Sequence, residues 1–156
     1  MEDQARQNGG SGDMSDGVLR YAVAACQVDQ PNPKDRTQIA RNTARMLEMV
    51  EMAVTGYSPM WDVKLLAFPE FGHAAPIYPT SKSLLAKLTA PIPNEHTEKY
   101  MAKARELGVY IQTATFLEED PKWPGKVFNT TCLIGPEGIL SRYRKVNPWI
   151  PWEGHT

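Results

Sequence analysis

The sequence predicts a mixed α/β layer fold, on three observations. Two short runs, VLRYAVAACQV (18–28) and DVKLLAF (62–68), are almost continuously apolar, as in strands covered on both faces. Stretches with apolar residues at helical spacing follow each of them. The regular pattern then closes in VFNTTCLIGPEGILSRYRK, a strand, a Gly-Pro-Glu-Gly turn and a second strand. The order is therefore strand, helix, strand, helix, strand, strand, strand.

Each element has its own justification. After the first strand, Asn32 can cap a helix, Pro33 suits its first position, and Asp35 favours the positive end of its dipole. Ile39, Thr43, Met46, Val50 and Ala53 fall on one face of that helix, and Gly56 is its expected stop. The second strand breaks at Pro69-Glu70. Prolines at 76, 79, 91 and 93 mark a folded-over loop beside a site or an interface, with a short helix through Leu84, Leu85 and Leu88. A clear helix follows, with Asn94 as cap, Tyr100, Met101, Ala104 and Leu107 on one side, and Gly108 as stop. One strand is expected from Val109 to Phe116, then a polar loop through Pro121 and Pro124, then the hairpin.

Composition bounds the function. With 42% hydrophobic and 22% charged residues among 156, the chain reads as one soluble globular domain. A net charge of −1 with scattered basic residues gives no electrostatic case for nucleic acid or an anionic membrane. No apolar run approaches the roughly 20 residues of a membrane span. Residues 1–17, MEDQARQNGGSGDMSDG, are polar and Gly-rich, without the apolar core of a signal peptide. They are expected to be a disordered tail ahead of a domain at 18–156. Two cysteines make no disulfide framework, so a reducing cytoplasm is the expected location.

Strand parity supplies the first chemical clue. Ile139, Ser141, Tyr143 and Lys145 share one face of the last strand, and Leu140, Arg142 and Arg144 share the other. The two arginines are explained as a solvated face. Lys145 is then turned inward, which is costly unless a carboxylate meets it. The competing reading is a strand-end lysine that snorkels to water. Glu70, presented by Pro69 at the end of a buried strand, is the obvious partner, although a glutamate there is more often a surface residue. The other inviting carboxylate is Glu153, held by Pro148 and Pro151 at a fixed reach from Lys145, although by itself it reads more readily as a chain-end residue in water. Cys26 and Cys132 share parity with apolar neighbours and read as core. His73, His96 and His155 lack metal-ligand spacing, so no metal site is expected.

These residues carry a resemblance. LLAFPEF, together with VFNTTCLIGPEGILSRYRKVNPWIPWEG, resembles the nitrilase superfamily of carbon–nitrogen hydrolases. The tail motif, Tyr143-Arg144-Lys145, Pro148-Trp149, Pro151 and Glu153-Gly154, is most similar to its aliphatic amidase and formamidase branch. The likeness runs from about Tyr21 to the final residue. It implies a four-layer α-β-β-α sandwich, of which this chain would hold the N-terminal part, and a Glu-Lys-Cys mechanism acting on a small amide. By motif match Glu70 is the general base, Lys145 the catalytic lysine and Glu153 a supporting glutamate. The Pro148–Trp152 segment, with Trp149, would wall the substrate entrance. No cofactor is implied, and the complete protein would be a homo-oligomer. The family's nucleophilic cysteine has no counterpart at the expected place in these 156 residues. A non-catalytic interaction module is the alternative, and a truncated sandwich is expected to leave an uncovered sheet face.

Overall fold

A computed structural model describes residues 21–29 and 31–156. The expected tail at 1–17, and residues 18–20 of the first expected strand, lie outside the described residues. The fold is a mixed α/β layer with one six-stranded sheet in the order β1-β2-β3-β5-β4, and β6 paired to β5. Strands β1 (Ala22–Ala25), β2 (Val63–Ala67) and β3 (Tyr110–Gln112) run parallel. Strands β4 (Phe116–Glu118), β5 (Phe128–Gly135) and β6 (Gly138–Arg144) complete the sheet in antiparallel pairing.

Helices α1 (Arg36–Tyr57) and α3 (Glu95–Leu107) cover one face of the sheet. Met46 and Val50 from α1 and Tyr100 and Ala104 from α3 pack there on Leu66, Ile111, Cys132 and Ile134, all of them buried. The opposite face carries Val23, Leu65, Tyr110 and Leu133, with Val23 54% and Tyr110 38% exposed. Among the described residues nothing covers it, in line with the uncovered face expected of a partial sandwich.

The ends of α1 differ from expectation. Its cap is Asp35, whose carboxylate accepts from Thr37 N–H, and not Asn32. Gly56 does not stop it, and Ser58 is the C-cap. At the next position, Arg36 donates to the carbonyls of Leu85, Ala86 and Thr89. Those are orphan acceptors at the end of α2 (Ser81–Lys87), so the competition at the start of α1 favours a helix that begins at Arg36. Helix α3 starts and stops as expected: Asn94 and Thr97 form a capping box, and Gly108 takes φ +65°.

The strand expected over 109–116 is two strands, β3 and β4, broken at 113–115. The Thr113 hydroxyl accepts from Cys132 N–H where a ladder carbonyl would, and Thr131 donates back to the Thr113 carbonyl. The break frees Ala114 and Thr115 from the ladder and turns them toward the loop after β2. A short helix that the proline-rich ending concealed, α4 (Ile150–Glu153), lies beside the same loop.

Candidate active site

The site is built at the end of β2. Phe68 N–H donates to the Gln112 carbonyl, Pro69 ends the pairing, and Glu70 follows. Phe71 is held at φ +61°, a conformation that costs a non-glycine residue on the order of 1–3 kcal/mol. Its amide donates to Thr115 Oγ1 at 2.8 Å, which is what the break between β3 and β4 makes possible. Gly72 sits so close to Ala114 that a Cβ there would lie 2.6 Å from the alanine methyl. His73 then anchors the loop in the core. Its Nδ1 meets the Ala114 carbonyl at 3.2 Å, its Nε2 meets Tyr100 Oη at 3.1 Å, and its ring stacks on Phe116 at 3.7 Å. A carbonyl only accepts, so Nδ1 carries the proton. Burial pushes the pKa of this imidazole down to about 3, with His96 nearby adding to the effect. His73 is thus a neutral brace for the loop.

The three charged residues singled out by sequence converge. Lys145 Nζ lies 2.9 Å from Glu70 Oε1 and also donates to Glu153 Oε2. The carboxylate partner expected of Lys145 is therefore present twice over, although the lysine stands on the uncovered face of the sheet with its side chain 27% exposed. Glu153 is buried, with its side chain 1% exposed, whereas the Glu70 side chain is 42% exposed. Burial pushes the Glu153 carboxyl up, but hydrogen bonds from Lys145, Trp149 N–H and Asn129 outweigh it and hold the group below the ordinary carboxylate range. Glu153 first, then Glu70, raises the pKa of the Lys145 ammonium. Trp149 caps α4 and stands 61% exposed. Its backbone N–H, 2.8 Å from Glu153 Oε2, joins it to the cluster. Trp152 packs edge-on against Phe71.

Sequence reasoning missed Asn129. Its Nδ2 donates to Glu70 Oε1 at 2.6 Å and to Glu153 Oε1 at 2.7 Å, bridging the two carboxylates. Parity applied to β5 would have found it, since Asn129 shares a face with Thr131, which is paired with Tyr143 on the Lys145 side of the sheet. The cluster opens into a cleft of about 180 Å³ lined also by Thr113, Thr115, Thr131 and Tyr143. Among the described residues Glu70 Oε2 makes no hydrogen bond, whereas the other three carboxylate oxygens of the cluster each accept at least one.

The other face of β6 corrects an expectation. Arg142 and Arg144 are not simply solvated. Both clasp Glu118, a side chain only 1% exposed, and Arg144 also reaches Asp120. Thr130 donates to Glu118 as well, and the Arg144 guanidinium lies 4.0 Å over the Phe128 ring.

Neither cysteine lines the cleft. Cys26 and Cys132 both belong to the helix-covered core, and burial raises both thiols, Cys132 to about 11. Among the described residues no group of three His, Cys, Asp or Glu is placed to hold a metal ion, and no helix is long and apolar enough to cross a membrane.

Comparison with known proteins matches residues 22–156 to the carbon–nitrogen hydrolase family. The chain is 31% identical over 130 residues to omega-amidase NIT2 of Pongo abelii, covering 83% of this chain and 40% of that protein. It is 29% identical over 146 residues to a formamidase of Bradyrhizobium diazoefficiens, covering 93% of this chain and 40% of that one. Among solved structures, Saccharomyces cerevisiae Nit3, a member of branch 10 of the nitrilase superfamily, superposes with a TM-score of 0.63 at 22% identity. That match covers 80% of this chain and 44% of the other. The chain thus spans about two fifths of the length of these relatives.

Proposed function

We propose, from the premise that this chain belongs to the carbon–nitrogen hydrolase family, that its Glu70–Lys145–Glu153 cluster serves hydrolysis of a small amide through a thioester. The observation that carries this reading is the doubly paired Lys145 beside a half-exposed Glu70 whose Oε2 is free at an open cleft. Amidase and formamidase relatives support the substrate class.

In this mechanism a cysteine thiol from outside residues 1–156 attacks the amide carbon. Glu70 Oε2 takes the thiol proton as the S–C bond forms, an assistance typically worth about 10²–10⁴ in rate. The carbonyl oxygen becomes an oxyanion facing Lys145 Nζ, and one such donor is typically worth roughly 3–4 kcal/mol. The C–N bond then breaks, Glu70 returns its proton to the departing nitrogen, and a thioester remains. Glu70 next takes a proton from water as the oxygen attacks the thioester, and the acid leaves as the thiol is restored. Glu153 touches no reacting atom and holds Lys145 in place. Trp149 and its neighbours wall the entrance, the complete protein acts as a homo-oligomer in the cytoplasm, and no cofactor takes part.

The test is ammonia release from formamide and short aliphatic amides by the complete coding frame, beside its Glu70→Gln variant. Turnover that survives the substitution, or a frame without a further cysteine, sinks the reading. A second reading, a non-catalytic interaction module, is favoured by the placement of Cys26 and Cys132 away from the cleft. Ammonia release by the purified 156-residue chain would overturn that alternative.

A further inference from the structure

Asn129 is 3% exposed, and its amide nitrogen spans two carboxylates while its carbonyl Oδ1 is buried with no partner among the described residues. An orphaned buried acceptor of this kind has lost its hydration and gained no hydrogen bond in return, so it is destabilising. Flipping the amide would not relieve it, because the carbonyl would then face two carboxylate oxygens. The orientation is therefore imposed by the bridge, and the orphan is its by-product.

The bridge has a clear effect on the charges around it. Two carboxylates surround a single ammonium, so the cluster is short of one positive charge. A second lysine or arginine at position 129 would balance it, but would also compete for the oxygen that must accept a proton. A neutral amide supplies two N–H dipoles and no net charge. It occupies Glu70 Oε1 and Glu153 Oε1, while Lys145 and Trp149 N–H occupy Glu153 Oε2. Every carboxylate oxygen is thereby assigned except Glu70 Oε2.

We propose that Asn129 is a positioning residue for the hydrolysis argued above, tying Glu70 to Glu153 about Lys145 so that Glu70 Oε2 alone faces the reacting atoms. The role rests on the hydrolase reading, but the bridge itself does not. It also accounts for a buried Asn at the N-terminal end of β5, where an apolar residue would pack without an orphan.

Two measurements test it. In the unaltered complete protein, nuclear magnetic resonance follows the two side-chain amide protons of Asn129 as acid is added. Both are expected to shift as the carboxylates beside them titrate, and amide protons that ignore this titration overturn the bridge without any variant having to fold. In the complete protein, Asn129→Ser is expected to lower kcat about 100-fold, as misplacement by roughly 1 Å does, with KM held within about twofold. Asn129→Asp, which replaces the donor with a third carboxylate, is expected to fall further. A Ser variant with unchanged kcat in a protein that does hydrolyse amides overturns the positioning role and leaves the hydrolase reading standing. A protein that hydrolyses no amide removes that reading and the catalytic role with it, while the proton titration still decides the bridge.

Discussion

Strand β6 separates two charge clusters that use the same kinds of side chain for opposite ends. On the helix-covered side, Arg142 and Arg144 meet Glu118 and Asp120, so two cations face two anions. Both Glu118 oxygens are filled, by two guanidinium groups and the Thr130 hydroxyl. On the other side Lys145 meets Glu70 and Glu153 and leaves an uncompensated negative charge, a free oxygen and an open cleft. A balanced and saturated cluster resists reaction and holds strands together. An unbalanced one with a spare acceptor is poised for proton transfer. The two clusters differ in their count of unfilled atoms, which is what the proposed catalytic role of the second one rests on, since residue type alone would not separate them.

That contrast can be broken most sharply at Glu70. Glu70→Gln is expected to cut turnover of the complete protein by about 10²–10⁴ while stability moves by less than ~1 kcal/mol, because the ion pair is half in water. Equal losses in turnover and in chemical denaturation would erase the distinction. Glu118→Ala is the mirror experiment. It takes the shared acceptor from Arg142, Arg144 and the buried Thr130 hydroxyl, so the urea midpoint should fall further than in Glu70→Gln. Acid sharpens the comparison further. The folded His73 value of about 3 lies below its ordinary 6.5, so between these pH values the unfolded chain binds one proton more. Stability contributed by His73 is thus full above about pH 6.5 and falls by about 1.4 kcal/mol per pH unit on acidification. The Glu153 contribution is lost later, below the ordinary carboxylate range, because its folded value is depressed. His73→Gln should reduce that slope, and what remains of it just below pH 6.5 belongs to His96, whose imidazole burial also pushes down. The smallest effect is a reference: Asn94→Ala, which removes the cap of α3, should cost about 1 kcal/mol by thermal melting and leave kcat unchanged.

The parts of this molecule that obey a period were legible in its sequence. Apolar alternation and helical spacing placed β2, α1, α3 and the β5–β6 hairpin, and parity put Lys145 on the side where Glu70 is found. The family resemblance gave Glu153 its supporting role, which no periodicity could assign. What escaped depends on side chains that replace backbone partners. Thr113 stands in for a ladder carbonyl and splits a strand in two, and Arg36 reaches across to α2 and resets the start of α1. Arg142 and Arg144 looked solvated because their partner, Glu118, sits in a strand that the same break had displaced. Asn129 was hidden for a simpler reason: a polar residue in a strand reads as surface until its neighbours are known to be anions.

The alternation along β6 has a consequence for chain length. Because Arg144 and Lys145 are neighbours on opposite sides of the sheet, moving the strand by one position would put a guanidinium into the cleft and an ammonium against Glu118. The tight connection at Pro136-Glu137 and the shift in pairing near Ile134 therefore act as a spacer whose parity matters. A single-residue insertion there exchanges the two cations, and only an insertion of two restores which side each one faces.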